Sequence, residues 1–141
     1  MPLTSDADIA RLLTETRTIA LVGASNRPDR ASYGVLQFLL AQGYEVTPVN
    51  PALAGQMLHG RAVAATLAEA GPVDLVDIFR NSDAAGPIMD EAIALGAKAV
   101  WMQLGVINPD ATARAEAAGL KVVMDHCPKI EIPRLGIAKV G

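Results

Sequence analysis

The sequence predicts an α/β fold in which a doubly wound, five-stranded parallel sheet lies between two layers of helices. Five short apolar runs alternate with amphipathic segments of roughly 10 to 15 residues, the pattern of βαβ units with right-handed crossovers. The first run, 19–22, carries no charge, which is typical of a strand buried on both faces. We expect the strand order 3-2-1-4-5, with the carboxyl ends of all strands at one edge.

The size and composition of the chain indicate one domain over residues 1–141, with its core at about 18–135. A chain of 141 residues that is 51% hydrophobic can bury one good core and is too short for two typical domains. A net charge of −3 argues against a nucleic-acid partner. The sequence has no apolar run of membrane-spanning length and no charged-then-apolar start, so we expect a cytoplasmic protein without membrane contact.

Each helix and strand is predicted from its own local signals. The expected strands are 19–22, 44–49, 74–79, 97–104 and 120–124. The expected helices are one capped by Ser5, one that Ser32 caps or begins, a short one at 65–70, one capped by Ser82 or Asp83, and one opened by Asn108 or Pro109. The rest of 52–72 is expected to be a loop because its glycines interrupt every periodic pattern, and a short segment follows the last strand.

A small-residue turn follows the first strand and leads into a helix, which is the layout of a phosphate-binding loop. Gly23 and Ala24 allow close backbone approach, and Ser25 and Arg30 add a donor and a positive charge just before the helix. The turn lacks the G-x-G-x-x-G pattern of dinucleotide-binding proteins. We interpret it as an anion site, the alternative being an ordinary strand-to-helix turn.

Other residues that could contact a ligand follow the remaining strands and should share the same edge of the sheet. Asn50-Pro51 carries no charge where an NAD site needs an acid, so NAD is disfavoured and NADP stays open with Arg27 and Arg30 as phosphate partners. Phe79-Arg80 is either a buried ring with a solvated charge or, beside a nucleotide, a stacking surface with a phosphate partner.

Catalytic and metal-binding patterns are missing from the sequence. His59 and His126 have no convincing partner for proton transfer, and Cys127 is the only cysteine, so it cannot build a thiolate metal site or an intramolecular disulfide. We therefore expect no catalytic residue and no metal. A binding protein is favoured over an enzyme.

Five motifs, read in order, carry a family resemblance: G-A-S-N-R-P-D-R-A-S-Y-G, V-T-P-V-N-P, D-I-F-R, W-M-Q-L-G-V and V-V-M-D-H-C-P-K. Together they resemble the small stand-alone CoA-binding protein family over residues 19 to about 135. That family has a Rossmann-like domain similar to the CoA-binding domain of the succinyl-CoA synthetase alpha subunit. The sequence departs from the family at His126, where an arginine is common, and at Ala64-Ala65.

The resemblance implies a ligand and a set of site residues. The ligand would be CoA or an acyl-CoA, bound without chemistry by the protein itself; the alternatives are an NADP-dependent oxidoreductase and an accessory subunit of an acyl-CoA ligase. A homodimer or a protein partner is compatible with each of these three functions. The implied site residues, from the pyrophosphate turn to the adenosine side, the pantetheine arm and the terminal block, are Gly23, Ala24, Ser25, Arg30, Ser32, Asn50, Pro51, Phe79, Arg80, Gln103, Gly105 and Cys127.

Overall fold

The structure, a computed structural model, describes residues 2–140, so Met1 and Gly141 at the ends of the predicted domain lie outside the described residues. The strands are β1 (Thr18–Val22), β2 (Glu45–Val49), β3 (Met57–Leu58), β4 (Arg61–Ala62), β5 (Leu75–Ile78), β6 (Ala99–Met102) and β7 (Lys121–Val123). The helices are α1 (Asp6–Glu15), α2 (Ala31–Ala41), α3 (Leu67–Ala70), α4 (Ser82–Ala94), α5 (Pro109–Ala117) and α6 (Pro128–Arg134). No helix in 2–140 is long and apolar enough to cross a membrane.

Helices cover both faces of a five-stranded parallel sheet, which confirms the predicted fold class. Ile19 and Leu21 of β1 join the core residues of α1, α2 and α6. Ala20 and Val22 alternate with them and join the core residues of α3, α4 and α5 on the opposite face. Both faces of the strand are therefore buried, which explains why its sequence is apolar without alternation.

The order of the parallel strands corrects the expectation. The sheet runs β2-β1-β5-β6-β7, so the third parallel strand pairs with β1 and not with β2; the predicted order 3-2-1-4-5 is wrong and the observed order is 2-1-3-4-5. The physical reason is Pro48, which leaves β2 without one backbone donor. The Pro48 carbonyl accepts from the Ala64 N–H at 2.9 Å on the outer side of β2, so its missing N–H also faces outward. A proline of this kind belongs on an edge strand.

The segment between β2 and β5 contains more structure than the predicted loop. A 3-10 turn at Pro51–Leu53 is followed by an antiparallel hairpin of β3 and β4 and then by α3, which confirms the short helix. The hairpin turns at His59 and Gly60, with φ of 47° and 81°, the backbone that a two-residue hairpin loop needs. The His59 ring packs edge-on against Tyr33 of α2, with 4.3 Å between ring centroids.

Side-chain caps determine where several helices begin. Ser5 accepts from the Asp8 N–H at 3.2 Å, and Asn108 caps α5 ahead of Pro109, both as predicted. Two starts differ from prediction: α2 begins at Ala31, so Ser32 neither caps nor begins it, and Asn81, instead of the residues after it, caps α4. Helix α6 lies in the short segment that was expected after the last strand.

Gly43, which follows α2, is held against the C-terminal segment. Its φ is +99°, and a Cβ there would lie 1.7 Å from the Val140 carbonyl oxygen. Gly96 has a similar φ of +74° but nothing within 4 Å of an added Cβ. We expect Gly43→Ala to cost about 1–2 kcal/mol more unfolding free energy than Gly96→Ala in urea denaturation, since only the first variant displaces the C-terminal segment. Equal losses of unfolding free energy in the two variants would show that the cost comes from backbone strain alone and not from displacing the C-terminal segment.

Candidate functional site

The candidate site lies at the carboxyl ends of β1 and β5, between connections that leave toward opposite faces of the sheet. From β1 the chain goes to α2 on one face, and from β5 it goes to α4 on the other, which makes this the crevice where open α/β sheets bind ligands. A cavity of about 460 Å³ opens there. We call it the cradle cavity; it is lined by Gly23, Ala24, Ser25, Asn26, Arg27, Arg30, Ala31, Ser32, Asn50, Ala52, Leu53, Phe79 and Arg80.

The free backbone donors of the cradle cavity come from the end of the turn after β1 and from the start of α2. The Gly23 and Ala24 N–H groups both donate to the Val49 carbonyl, at 3.0 and 3.2 Å, and so tie the turn to β2. Free N–H groups, without a hydrogen-bond partner in residues 2–140, belong to Ser25, Asn26, Ala31 and Ser32. The last two open α2, an 11-residue helix, where unpaired donors and the helix dipole favour an anion.

Glycine at position 23 allows the loops after β1 and β5 to approach each other. A Cβ on Gly23 would lie 3.1 Å from the Phe79 carbonyl carbon and 3.1 Å from the Arg80 Cδ, and its φ of +94° is rarely adopted by other residues. Both conditions require glycine. The close contact brings the Phe79 ring and the Arg80 side chain to the wall of the cradle cavity.

Asn50 acts as a brace within the cradle cavity. Its Nδ2 donates to the Ala24 carbonyl at 2.7 Å, and its Oδ1 accepts from the Ala52 N–H at 2.9 Å. The side chain therefore connects the turn after β1 to the 3-10 turn after β2. It brings no charge to the place where a ribose hydroxyl would be held by an acid in an NAD site.

The arginines of the cradle cavity differ in how their charge is balanced. Arg27 pairs with Asp29 at 3.2 Å. Arg30 and Arg80 have no carboxylate partner among residues 2–140, although both line the cavity. Two uncompensated guanidinium groups beside free N–H donors make the cavity electropositive, and such groups form the strongest hydrogen bonds with phosphate oxygens.

The structure brings eight of the twelve expected site residues into the cradle cavity and leaves four outside it. Pro51 lines a neighbouring cavity. Gln103 and Cys127 are buried, and Gly105 donates its N–H to Asp125 Oδ1 at 2.7 Å, joining the loops after β6 and β7. Gln103, Gly105 and Cys127 line neither the cradle cavity nor its neighbours, nor the cavity at the opposite edge of the sheet.

Two unpartnered polar side chains lie just inside the sheet from this edge. Asp77 is fully buried in β5 between Leu21 and Trp101 of the adjacent strands, and neither carboxyl oxygen has a hydrogen-bond partner in residues 2–140. Gln103, on the same face two residues after Trp101, has an unpartnered Oε1. Burial raises the pKa of the Asp77 carboxyl well above its usual range, because a charge there would lose its hydration. Asp77 lies two residues before Phe79, the residue that directly follows β5.

A cavity of about 510 Å³ at the opposite, amino-terminal edge of the sheet is the larger one. Two of its charged groups are engaged with each other: Asp74 accepts from the Arg17 and Thr18 N–H groups at 3.0 and 3.2 Å and pairs with Lys98 at 3.3 Å, whereas Glu15 and Lys121 have no ion pair among residues 2–140. Among residues 2–140, those that line this cavity include no free N–H group of a helix start. We therefore place the candidate site at the cradle cavity despite its smaller volume.

Several residues of the cradle cavity were not predicted as site residues. Ala52 and Leu53 were assigned to a loop, and Ala31 carries a free N–H that no side-chain pattern reveals. Only the position of Ala31 in the first turn of a helix could have indicated that its N–H is free. Within residues 2–140 no group of three or more acids, histidines or cysteines lies close enough to hold a metal ion.

Comparison with known proteins adds a family to this geometry. A family model described as "CoA binding domain" matches residues 17–133. The uncharacterized protein YneT of Bacillus subtilis (strain 168) is 36% identical over 126 residues, which cover 89% of this chain and 93% of YneT.

Solved structures show the same similarity. The crystal structure of Prb, the PH1109 protein redesigned for binding, has a TM-score of 0.90 and 36% identity over 96% of this chain and 94% of its own. Cell-free ID.343 from Thermus thermophilus has a TM-score of 0.88 and 36% identity over 94% and 99%. The apo dinucleotide-forming acetyl-coenzyme A synthetase 1 of Ca. Korarchaeum cryptofilum has a TM-score of 0.66 and 25% identity, over 82% of this chain and 27% of the synthetase.

The family match extends from the residue before β1 to Pro133, near the end of α6, and so includes the whole cradle cavity. The family supports CoA binding in general and agrees with the resemblance carried by the strand-end motifs. The chain belongs to the CoA binding domain family.

Proposed function

We propose that this chain, as a single domain, reversibly binds CoA or an acyl-CoA through its phosphates in the cradle cavity. The observation that carries the proposal is the pairing of two uncompensated arginines, Arg30 and Arg80, with the free N–H groups of the turn and of the α2 start. CoA brings a pyrophosphate and a ribose phosphate, which can share these donors. In this proposal the protein acts in the cytoplasm, and a homodimer or a protein partner is compatible with it.

The lining of the cradle cavity supports binding without catalysis. Among residues 2–140, those that line it include no acid, no histidine, no cysteine and no lysine. Proton transfer or nucleophilic attack needs such a group within hydrogen-bond reach of the reacting atom. We therefore propose a binding protein and expect no hydrolysis of acyl-CoA during prolonged incubation.

Calorimetry and thermal unfolding with CoA, dephospho-CoA and NADP test the proposed ligand. A ligand that binds the native state stabilises it by mass action, by about 2.7 kcal/mol when its concentration is one hundred times its Kd. We expect CoA to release heat and raise the melting temperature, dephospho-CoA to bind more weakly because it lacks the ribose phosphate, and NADP to do neither. Absence of heat and of a thermal shift with millimolar CoA would refute the proposal, and a response to NADP alone would favour an oxidoreductase.

A further inference from the structure

Three buried polar atoms without a partner lie on one face of the sheet, just inside its carboxyl edge. Among residues 2–140 they are the two carboxyl oxygens of Asp77 and the side-chain oxygen Oε1 of Gln103. Asp77 is opposite Trp101 in the pairing of β5 with β6, and Gln103 follows Trp101 by two residues, so both side chains leave the sheet on the face covered by α1, α2 and α6. Diagonal neighbours of this kind on adjacent strands lie within reach of a long side chain.

The hydrogen-bonding capacity of the two groups decides how they can be satisfied. A carboxylate only accepts hydrogen bonds, and so does an amide oxygen, so a charged Asp77 cannot pair with Gln103 Oε1. A protonated carboxyl carries one O–H donor, which joins Asp77 to that oxygen and gives two of the three atoms a partner. The reversed amide, with Nε2 pointing inward, would suit a charged Asp77 instead, and burial disfavours that charge by raising the pKa of the carboxyl.

The other end of the Gln103 amide faces the carboxyl edge of the sheet. Its Nε2 also has no hydrogen-bond partner among residues 2–140 but, unlike Oε1, it is not shielded from solvent. The Gln103 backbone N–H donates to the Ile78 carbonyl at 3.2 Å, which places the residue one strand further along the edge from Phe79 of the cradle cavity. A ligand that leaves the cradle cavity along this edge therefore meets the N–H donors of Gln103 and not its oxygen.

We propose that Asp77 is a positioning residue whose protonated carboxyl donates to Gln103 Oε1, so that Nε2 is presented to an amide carbonyl of the pantetheine arm of CoA. The inference rests on the proposed CoA binding and goes beyond it, because it assigns a role in binding to a residue that is fully buried and lies too deep for ligand contact. The arm is recognised through its carbonyl oxygen, and a ligand with the same phosphates but no arm gains nothing from Asp77.

Calorimetry with CoA and with adenosine 3′-phosphate 5′-diphosphate, which has the same base and phosphates but no arm, tests this role. Asp77→Val removes the carboxyl at nearly constant side-chain size, and the protein should still fold because the group that is lost has no partner. We expect Asp77→Val to weaken CoA binding about two- to tenfold, the value of one neutral hydrogen bond, and to leave the Kd of the armless ligand within about twofold. Asp77→Asn keeps a neutral donor for Gln103 Oε1 and should restore the affinity for CoA.

Gln103→Met and the double variant with Asp77→Val show whether the two residues act as one unit. Gln103→Met removes the amide without shortening the side chain, so it should weaken CoA binding by about the same factor as Asp77→Val. The double variant should then lose no more affinity than Gln103→Met alone. Thr112→Val, which removes a buried polar group from α5 on the opposite face of the sheet, is the control and should leave both affinities unchanged.

Infrared spectroscopy reports the protonation of Asp77 directly. At neutral pH the wild type should show the C=O band of a protonated carboxylic acid that is missing from Asp77→Asn. A carboxylate band in its place would show that Asp77 is charged and that the Gln103 amide is reversed, which overturns the inference.

The binding outcomes separate this inference from the proposed function. Wild-type affinity for CoA in Asp77→Val or Gln103→Met, additive losses in the double variant, or an equal loss of the armless ligand each overturn the inference while CoA binding stands. A loss in Asp77→Asn as large as that in Asp77→Val also overturns it, because the neutral donor then has no effect. No binding of either ligand to the wild type overturns the proposed function and the inference together.

Discussion

The unfolding free energy of the wild type is expected to fall as the pH rises above about 3.8, the ordinary pKa of an aspartate, relative to that of Asp77→Asn. Burial raises the pKa of Asp77, so the folded protein keeps a proton that the unfolded chain releases. Stability from this group is complete below the unfolded pKa and is lost as pH rises toward the folded pKa, with a slope of about 1.4 kcal/mol per pH unit in that window. Above the folded pKa the two curves should run parallel.

Urea denaturation of both proteins across this range provides the measurement. The guanidinium of Arg134 hydrogen-bonds Asp6 and lowers the pKa of that carboxyl, so the stability that Asp6 contributes is lost as pH falls. Because both proteins contain Asp6, this contribution cancels in the difference between their unfolding free energies. Asp83→Asn, which removes an exposed acid from α4, is the control and should follow the wild-type curve. If Asp77→Asn also follows that curve at every pH, the buried carboxyl does not titrate in the window.

The strand order shows how much of the fold the sequence determines locally. The five parallel strands were predicted from apolar runs, but their order depends on which strand can stand at an edge. Pro48 carried that information, since a proline inside a strand lacks one N–H and is tolerated where that N–H would face away from the sheet. Attention to Pro48 would have placed β2 at the edge and the third strand beside β1.

Most residues that line the cradle cavity could be predicted from the sequence, but which of their N–H groups are free could not. Residues at the carboxyl ends of β1, β2 and β5 meet because parallel strands end at one edge. Which N–H groups stay free depends on pairing: Gly23 and Ala24 are occupied by the Val49 carbonyl, a consequence of the β1–β2 register that no local pattern reveals. The free N–H donors therefore lie further along the chain, at Ser25 and at the start of α2.

Burial along β6 explains why Gln103 does not line the cradle cavity, while the arm contacts implied by the resemblance stay a prediction. Trp101 and Gln103 share one face of the strand and both are buried, and the indole Nε1 donates to the His126 carbonyl at 2.8 Å. The segment after β7 thus contacts Trp101, whereas Leu104 and Gly105 at the same edge stay exposed. Residue type at the end of a strand indicates a possible contact, whereas coverage by a later segment is a tertiary effect.

Arg80→Ala is expected to weaken CoA binding about ten- to a hundredfold and to leave the melting temperature nearly unchanged. Arg80 is exposed, lines the cradle cavity and has no carboxylate partner in residues 2–140, so its guanidinium is available for a phosphate. A charge-assisted hydrogen bond of this kind contributes about 1.5–3 kcal/mol. Arg11→Ala removes the same charge from α1, outside the cavity, and should change the Kd less than twofold at physiological salt.

The double variant with Arg30→Ala shows how the phosphates are shared between the two arginines. If Arg30 and Arg80 contact different phosphates of CoA, their losses in binding free energy add, and the double variant falls by the sum of the two. If both contact one phosphate, the second substitution costs less than it does alone, because the remaining arginine has already lost its shared partner. Wild-type affinity in Arg80→Ala, Arg30→Ala and the double variant would place the phosphates away from the cradle cavity, since no other uncompensated arginine lines it among residues 2–140.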